Sequence, residues 1–362
     1  MHLFDRIAGD GHEEVVFCHD GASGLRAIIA VHSTQLGPAL GGVRFRSYAN
    51  EDDALEDVLA LSRAMTYKAA VAGLDLGGGK AVILGDPALI KTEALLRAYA
   101  RHVERLGGSY LTAEDVGTTQ ADMDLMRQET RYVTGTSRSL GGSGDPSAAT
   151  ALGVLQAMLA LATHLWGSPD LRGRRVVVSG VGKVGLALAR HLVDEGAVVV
   201  ASDVDEAVVA RATSALGLAS VPPEQAHAAE CDIFSPCALG GVITPERISE
   251  LRCEAIVGAA NNQLAEPQCA RLLVEAGITF VPDYVANAGG IINIAQELVS
   301  HRRELASTRV RTIFDTTMAV LDEAKTEGAS PTNVADRMAE RRLAGYGRSG
   351  RAGAARATVT GG

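Results

Sequence analysis

The chain has 362 residues, 47% of them apolar, and a formal net charge of -9. That length allows a large core and predicts two domains in a soluble globular protein, while the acidic balance excludes broad attraction to nucleic acid or to an anionic membrane surface, both of which need a basic excess. Five scattered cysteines (Cys18, Cys231, Cys237, Cys253, Cys269) without a C-x-x-C pair argue against a disulfide framework or zinc site and for reduced thiols in a cytoplasm. The nine histidines have no metal-ligand spacing, so no metal is expected, and neither a signal segment nor an uninterrupted membrane-length apolar span is read.

In chain order, EEVVFCHD and LRAIIAVHS read as two strands joined by a turn at Gly21 to Gly24. Residues 50–73 read as a helix. Asn50 is a good N-cap, acids fill the first turn, and Leu55, Val58, Leu59 and Leu61 recur at helical spacing, which places Lys68 near the C-terminal end. A strand (AVILGD), a helix (TEALLRAYARHVERLG) and a short strand (YLTAEDVG) follow, with Asp115 at the last strand's exit. The glycine- and serine-rich stretch YVTGTSRSLGGSGDPS, residues 132–147, suits a hinge.

An apolar helix from about Ala148 to Leu165 leads into VVVSGVGKVGLALARHLVDEGAVVVASDVD, a strand, glycine turn, helix and strand ending in an acid. Further strands are read in IFSPCA, AIVGAA and TFVPDY, then helices from Asn287 onward. The tail beyond about Gly345, rich in Gly, Arg and Ala, is expected to be disordered.

Two groups of residues carry chemistry. Gly180-Val-Gly182-Lys183-Val184-Gly185 lies between a strand and a helix, the context a dinucleotide fingerprint requires, and Asp203 stands 23 positions after Gly180, where a carboxylate accepts from ribose hydroxyls and repels a ribose phosphate. NAD is therefore expected over NADP. Within the motif Lys183 reads as solvent-facing. The second group is Lys80, closing the run GLDLGGGK, with Lys68 and Asp115. A lysine among glycines loses water, which lowers its pKa and makes it a candidate general base. A phosphate-binding P-loop is excluded because Leu74 and Ala81 stand where that motif needs glycine and Ser or Thr. A lone lysine after a flexible turn is more often a surface residue, but Lys68 and Asp115 would each be costly to bury unless paired or functional. Asn261, Asn262 and Asn287 are turn formers taken singly, yet at the ends of parallel strands such amides line a ligand crevice.

Together these residues resemble the glutamate, leucine, phenylalanine and valine dehydrogenase family, over nearly the full length. The resemblance rests on LGPALGGVRF (Leu36 to Phe45), AMTYK ending at Lys68, GLDLGGGKAVI, TAEDVG, GVGKVG, PCALGG (Pro236 to Gly241), GAANNQLA and PDYVANAGGIINIA. It implies an α/β fold of two domains: residues 1–140, with 332–344 packing back on them, bind substrate and oligomerise, and residues 141–331 form a Rossmann doubly wound NAD-binding domain. It implies oxidative deamination of an L-amino acid to a 2-oxo acid and ammonia with NAD, in a homodimer or octamer. Lys68 would bind the substrate carboxylate, assisted by Asn262 and the backbone at Gly42. Lys80 would activate a water against the imine carbon, and Asp115 would carry protons to and from nitrogen. Thr150 would hold the nicotinamide carboxamide, with Ala238, Asn261 and Asn287 also at the cofactor.

Leu40 stands where glutamate dehydrogenases carry a lysine for the distal carboxylate. With Ala113, Ile291 and Ile294 the implied pocket is apolar, which would leave glutamate an unpaired buried charge. A short branched substrate is expected, valine before leucine and isoleucine. The rivals are a phenylalanine dehydrogenase, a hydroxy-acid dehydrogenase (which usually needs a histidine and an arginine) and a non-catalytic NAD-binding sensor, which would be expected to have lost Lys80 or Asp115.

Overall fold

The computed structural model describes residues 3–9, 11–299 and 303–357. The chain divides into two compact units, one of residues 1–145, 294–301 and 338–362 and the other of 146–293 and 302–337. The first division follows Asp145, at the end of the glycine-rich stretch. Two of the later ones fall inside helices, Gly289–Val299 and Pro331–Ala357.

The first unit is built on a five-stranded sheet ordered β1-β2-β4-β3-β5, with β1 Glu14–Asp20, β2 Leu25–Ser33, β3 Ala39–Arg46, β4 Gly77–Leu84 and β5 Tyr110–Glu114. β1, β2 and β4 pair antiparallel, whereas β3 lies parallel to both β4 and β5. Two strands depart from the sequence reading, which gave no strand at LGPALGGVRF and started the next one after the glycines. β3 runs through Gly41 and Gly42, and β4 opens at Gly77. Glycine weakens a strand unless another group must come close, and here several do. A Cβ on Gly41 would overlap the Gly79 carbonyl, one on Gly78 would overlap Thr66, and one on Gly79 would lie 2.6 Å from the Tyr110 ring.

The helix Glu51–Val71 begins where expected, with the Asn50 side chain accepting from the Asp53 N–H at 2.9 Å and three acids in the first turn. Its apolar residues Ala54, Leu55, Val58 and Leu59 pack with Ile28, Ala30 and Val82 on one face of the sheet. The other face is covered by the helix Glu93–Arg105, capped by Thr92, and by Gln120–Met126. Stacked helix and strand thus bury a core from Cys18 to Val133.

The second unit carries a six-stranded, all-parallel sheet ordered β11-β10-β9-β6-β7-β8. The strands are β6 Arg175–Ser179, β7 Val198–Ser202, β8 Ala219–Ser220, β9 Ile233–Pro236, β10 Ala255–Ile256 and β11 Thr279–Phe280. Counted from β6 this is the order 3-2-1-4-5-6 of a Rossmann sheet, with its switch point between β6 and β9. The helix Ser147–Trp166 is long and apolar enough to cross a membrane by length and composition, which the sequence reading did not count. In this unit it is a core helix instead, burying Ala151, Val154, Leu155, Met158 and Leu161 against the helices Lys183–Asp194 and Ile313–Glu327.

The final helix, Pro331–Ala357, runs on through residues 345–357, where no regular structure was expected. Alanine and arginine are strong helix formers, which offsets the glycines there. Residues 358–362 lie outside the described part.

Candidate active site

In the first unit, strand register collects the charged groups. Leu40 pairs with Gly78 and Leu111, and Gly42 pairs with Ala113, so Leu40, Gly42 and Ala113 share a face of the sheet with Lys80, one step from the Val43–Ala81 pair. Asp115, two residues past Ala113, and Arg44, two past Gly42, continue the same alternation. Lys80 and Asp115 meet as an ion pair between side chains only 9% and 17% exposed. The Val116 N–H donates to Asp115 Oδ1 at 2.7 Å, and Arg44 Nε stands 3.7 Å from Oδ2. Burial pushes the Asp115 carboxyl up, but the Lys80 ammonium, the Arg44 guanidinium and the hydrogen bonds from Lys80 and Val116 outweigh it and hold the group below its ordinary value.

Glycine at position 42 is required by this arrangement, since a Cβ there would lie 2.6 Å from the Glu114 carbonyl and 2.9 Å from Asp115 Cβ. The same logic brings in Lys68. Thr66 rests directly on Gly78, so the last turn of its helix lies over β4, and half-buried Lys68 is two residues further on. Arg342, in the part of the final helix that belongs to this unit, donates to the Ala70 carbonyl at 2.9 Å and pairs with Asp75 at 2.9 Å. A cation on the last carbonyls fixes the helix end that carries Lys68.

Arg44 is a residue the sequence reading did not single out. Its guanidinium pairs with Asp57 at 3.0 Å, and Asp57 in turn accepts from the Tyr48 hydroxyl at 2.7 Å, so the arginine is held from behind as it faces Asp115. The available signal was a lone cation inside the otherwise apolar strand GGVRF.

In the second unit each fingerprint glycine has a distinct cause. Gly180 adopts φ 101°, which favours glycine, and sits on Ala238, whose Cβ would be 2.6 Å from an added one. A Cβ on Gly185 would overlap the Gly180 carbonyl, so helix and turn pack in contact. Nothing lies within 4 Å of a Cβ on Gly182, the N-cap of the helix Lys183–Asp194, which leaves its backbone open to a ligand at a helix N-terminus. Lys183 is exposed and Val184 half-buried. The Asp203 carboxylate accepts from the Val181 N–H at 2.9 Å and the Asp205 N–H at 3.1 Å, which sets it at the mouth of the turn. These residues fit a dinucleotide: an open glycine, a helix N-terminus without a side-chain cap and an acid at the second strand.

The amides belong to this unit too. Buried Asn287 donates to the Ala259 carbonyl at 3.1 Å and to Asn261 Oδ1 at 2.9 Å. Asn262 holds a positive φ of 52°, and its N–H donates to Asp283 at 2.6 Å. Thr150 donates to the Pro146 carbonyl at 3.1 Å and packs where a Cβ on Gly290 would be 2.8 Å from its oxygen. Ile291 is buried in the second unit, and half-buried Ile294 belongs to the first with Leu40 and Ala113.

A paired buried lysine and aspartate in one unit and a dinucleotide turn in the other define the class of amino-acid dehydrogenases. Comparison agrees. The family models described as Glu/Leu/Phe/Val dehydrogenase, dimerisation domain, and Glutamate/Leucine/Phenylalanine/Valine dehydrogenase match residues 12–132 and residues 141–221 with 214–346. Among curated proteins, a leucine dehydrogenase of Geobacillus stearothermophilus is 50% identical over 343 residues, 95% of this chain and 94% of its own. A valine dehydrogenase of Streptomyces virginiae is 52% identical over 346 residues, 95% of this chain and 97% of its own. Among solved structures, the L-tryptophan dehydrogenase of Nostoc punctiforme superimposes with a TM-score of 0.84 at 41% identity, over 96% of this chain and 100% of that one. The chain belongs to the Glu/Leu/Phe/Val dehydrogenase family.

Proposed function

We propose that the chain carries out reversible NAD-dependent oxidative deamination of branched-chain L-amino acids to 2-oxo acid and ammonia, with L-valine favoured and leucine and isoleucine also turned over. The observation that carries this reading is the buried Lys80–Asp115 pair beside Gly42, in a chain about half identical to leucine and valine dehydrogenases.

Lys68 binds the substrate carboxylate as a point charge, aided by Asn262 and the backbone of Gly42. Lys80 acts as the general base and takes a proton from the water that attacks the imine carbon. Asp115, already in contact with Lys80, moves protons to and from the substrate nitrogen. When bound, the dinucleotide supplies the hydride acceptor. Gly180, Gly182, Val184 and Gly185 accommodate its phosphates, with Lys183 alongside in solvent. Asp203 accepts from the ribose hydroxyls and disfavours a ribose phosphate, hence NAD over NADP. Ala238, Asn261 and Asn287 line its crevice, and Thr150 holds the nicotinamide carboxamide.

The family resemblance assigns Leu40, Ala113, Ile291 and Ile294 to the substrate side chain, and their apolar character selects a short branched one over a charged one. The matched dimerisation domain supports a homodimer at least, with an octamer a further assembly. Five free cysteines suit a reducing cytoplasm.

A second reading, an aromatic substrate, is favoured by the similarity to a tryptophan dehydrogenase. Rates of NADH formation with L-valine, L-leucine, L-phenylalanine, L-tryptophan and L-glutamate, repeated with NADP, decide between them. Valine or leucine in the lead supports the reading, an aromatic lead overturns the pocket, and no activity in a folded protein that binds NAD overturns the chemistry. Lys68→Ala should mainly raise KM.

A further inference from the structure

The parallel sheet brings together two cysteines that the dehydrogenase chemistry does not use. β9 and β10 pair Ile233 with Ala255 and Phe234 with Ile256. The same register continues toward their N-terminal ends, where the Cys231 N–H donates to the Arg252 carbonyl at 3.1 Å and the Ala255 N–H to the Asp232 carbonyl at 3.2 Å. Two residues back from the Ile233–Ala255 pair, Cys231 therefore stands opposite Cys253. Residues opposite one another in a parallel pair point to the same side, and adjacent strands run about 4.8 Å apart. That spacing falls within the window of about 4.4–6.8 Å between Cα atoms over which a disulfide closes.

Cys253 packs against the cluster of buried side chains that contains Cys231. Cys231 is buried in the core of this unit, and Cys253 packs at its edge, half-buried. Their environments separate their roles. Donation to Cys253 and burial push the Cys231 thiol well up, whereas the hydrogen bond from Cys231, opposed by burial and aided by backbone N–H groups, lowers Cys253. Cys253 is the more accessible of the two thiols and the one a peroxide reaches, and its buried neighbour Cys231 is placed to resolve it. Cys18 lies in the other unit, and Cys237 is at the opposite end of β9 with Ser235 Oγ at 3.4 Å.

We propose that Cys231 and Cys253 form an oxidisable dithiol that a hydroperoxide converts to a disulfide within the dinucleotide-binding unit. The Cys253 thiolate attacks a peroxide oxygen, forming an S–O bond as the O–O bond breaks. The leaving alkoxide or hydroxide takes up one proton, matching the one Cys253 released. Cys231 sulfur then attacks the sulfenic sulfur, the S–S bond forms as the S–O bond breaks, and the departing hydroxide leaves as water with the Cys231 proton. Two thiols lose two electrons and two protons, and the peroxide is reduced to one alcohol and one water, or to two waters. The bond ties together the starts of β9 and β10, at the sheet edge away from the glycine turn, and closes a covalent loop that includes Pro236 to Gly241.

The test uses the full chain, reduced and desalted, then treated with hydrogen peroxide at stoichiometric level and alkylated in denaturant with N-ethylmaleimide. Mass spectrometry should find three alkylated thiols in place of the five free in the reduced chain. It should also find a peptide pair joined through Cys231 and Cys253, reversed by dithiothreitol. Cys231→Ser should arrest the reaction at a Cys253 sulfenic acid that dimedone traps, and Cys237→Ser should leave the disulfide yield unchanged. Five alkylated thiols after treatment, a bond between other cysteines or between two chains, or overoxidised Cys253 without a disulfide in the unsubstituted chain would each overturn the proposal.

Discussion

The glycines of the two candidate sites are used in opposite ways. Around Lys80 in the first unit the space a Cβ would occupy is filled by the protein itself: Thr66 against Gly78, Tyr110 against Gly79, the Glu114 carbonyl and Asp115 against Gly42. In the second, Gly180 and Gly185 are filled by Ala238 and by one another, but Gly182 faces open space at a helix N-terminus. A glycine run is therefore informative only when its neighbours are known. Around Lys80 protein fills the space and the glycines let side chains and backbone approach, whereas Gly182 leaves the backbone at a helix N-terminus uncovered.

The sharpest way to break that contrast is at the side chain the first set positions. Lys80→Ala should lower kcat by about 10²–10⁴-fold, the range a positioned general base contributes, and leave the Kd for NAD nearly unchanged because the glycine turn is in the other unit. A variant that kept its kcat would end the assignment. Next in size is cofactor choice. Asp203→Ser removes the carboxylate at the glycine turn and should shift the kcat/KM ratio toward NADP, read from the two cofactors side by side, while losing the acceptor for the Val181 N–H.

The glycines themselves give a paired test. Gly78→Ala drives a Cβ into Thr66 and should cost about 1–3 kcal/mol as overpacking, measured by urea unfolding. Gly182→Ala meets no atom within 4 Å and has an ordinary φ of -67°, so its cost should stay within about 1 kcal/mol, that of a changed N-cap, while the Kd for NAD rises. If Gly182→Ala destabilised the fold and spared NAD, the distinction between filled and open glycines would fail.

Much of the fold was legible in the sequence because local signals agreed with it. Asn50 followed by three acids gave the start of its helix, and strand, glycine turn, helix and acid gave β6, the turn and β7. β3 was missed because Gly41 and Gly42 carry little strand preference, and their place is set by Gly79 and Asp115 across the sheet, which no local window contains. The same holds for the site. Lys80 and Asp115 were readable as costly burials, whereas Arg44 needed the register of β3 against β5 to show what it faces. Cys231 and Cys253 read as scattered thiols until β9 and β10 aligned them. Leu40, Ala113, Ile291 and Ile294 were grouped by family resemblance, because they come from both units and share no local pattern.

Arg44 provides the smallest and most diagnostic prediction. The Asp115 carboxyl lies below its ordinary value of 3.8 because Lys80, Arg44 and two hydrogen bonds overcome burial. Removing the guanidinium in Arg44→Gln takes away one of the groups favouring the charged form, so the carboxyl must move up. A carboxyl depressed in the folded state adds stability that is fully present above its unfolded value and is lost as pH falls through the folded one. In the parent chain that loss sets in below about pH 4, near the unfolded value; in the variant it sets in at the same pH, but is smaller and is complete at a higher pH. The acidic limb of kcat/KM should move the same way if Asp115 must be ionised to accept the substrate proton. Of the other charged and titratable groups near the pair, Lys80 and Tyr110 keep their partners, whereas Asp57 and Tyr48 lose the nearby guanidinium. Arg44→Lys keeps the charge without the fork that also grips Asp57, so it should restore part of the profile. A variant with lower kcat and an unshifted acidic limb would assign Arg44 to packing alone.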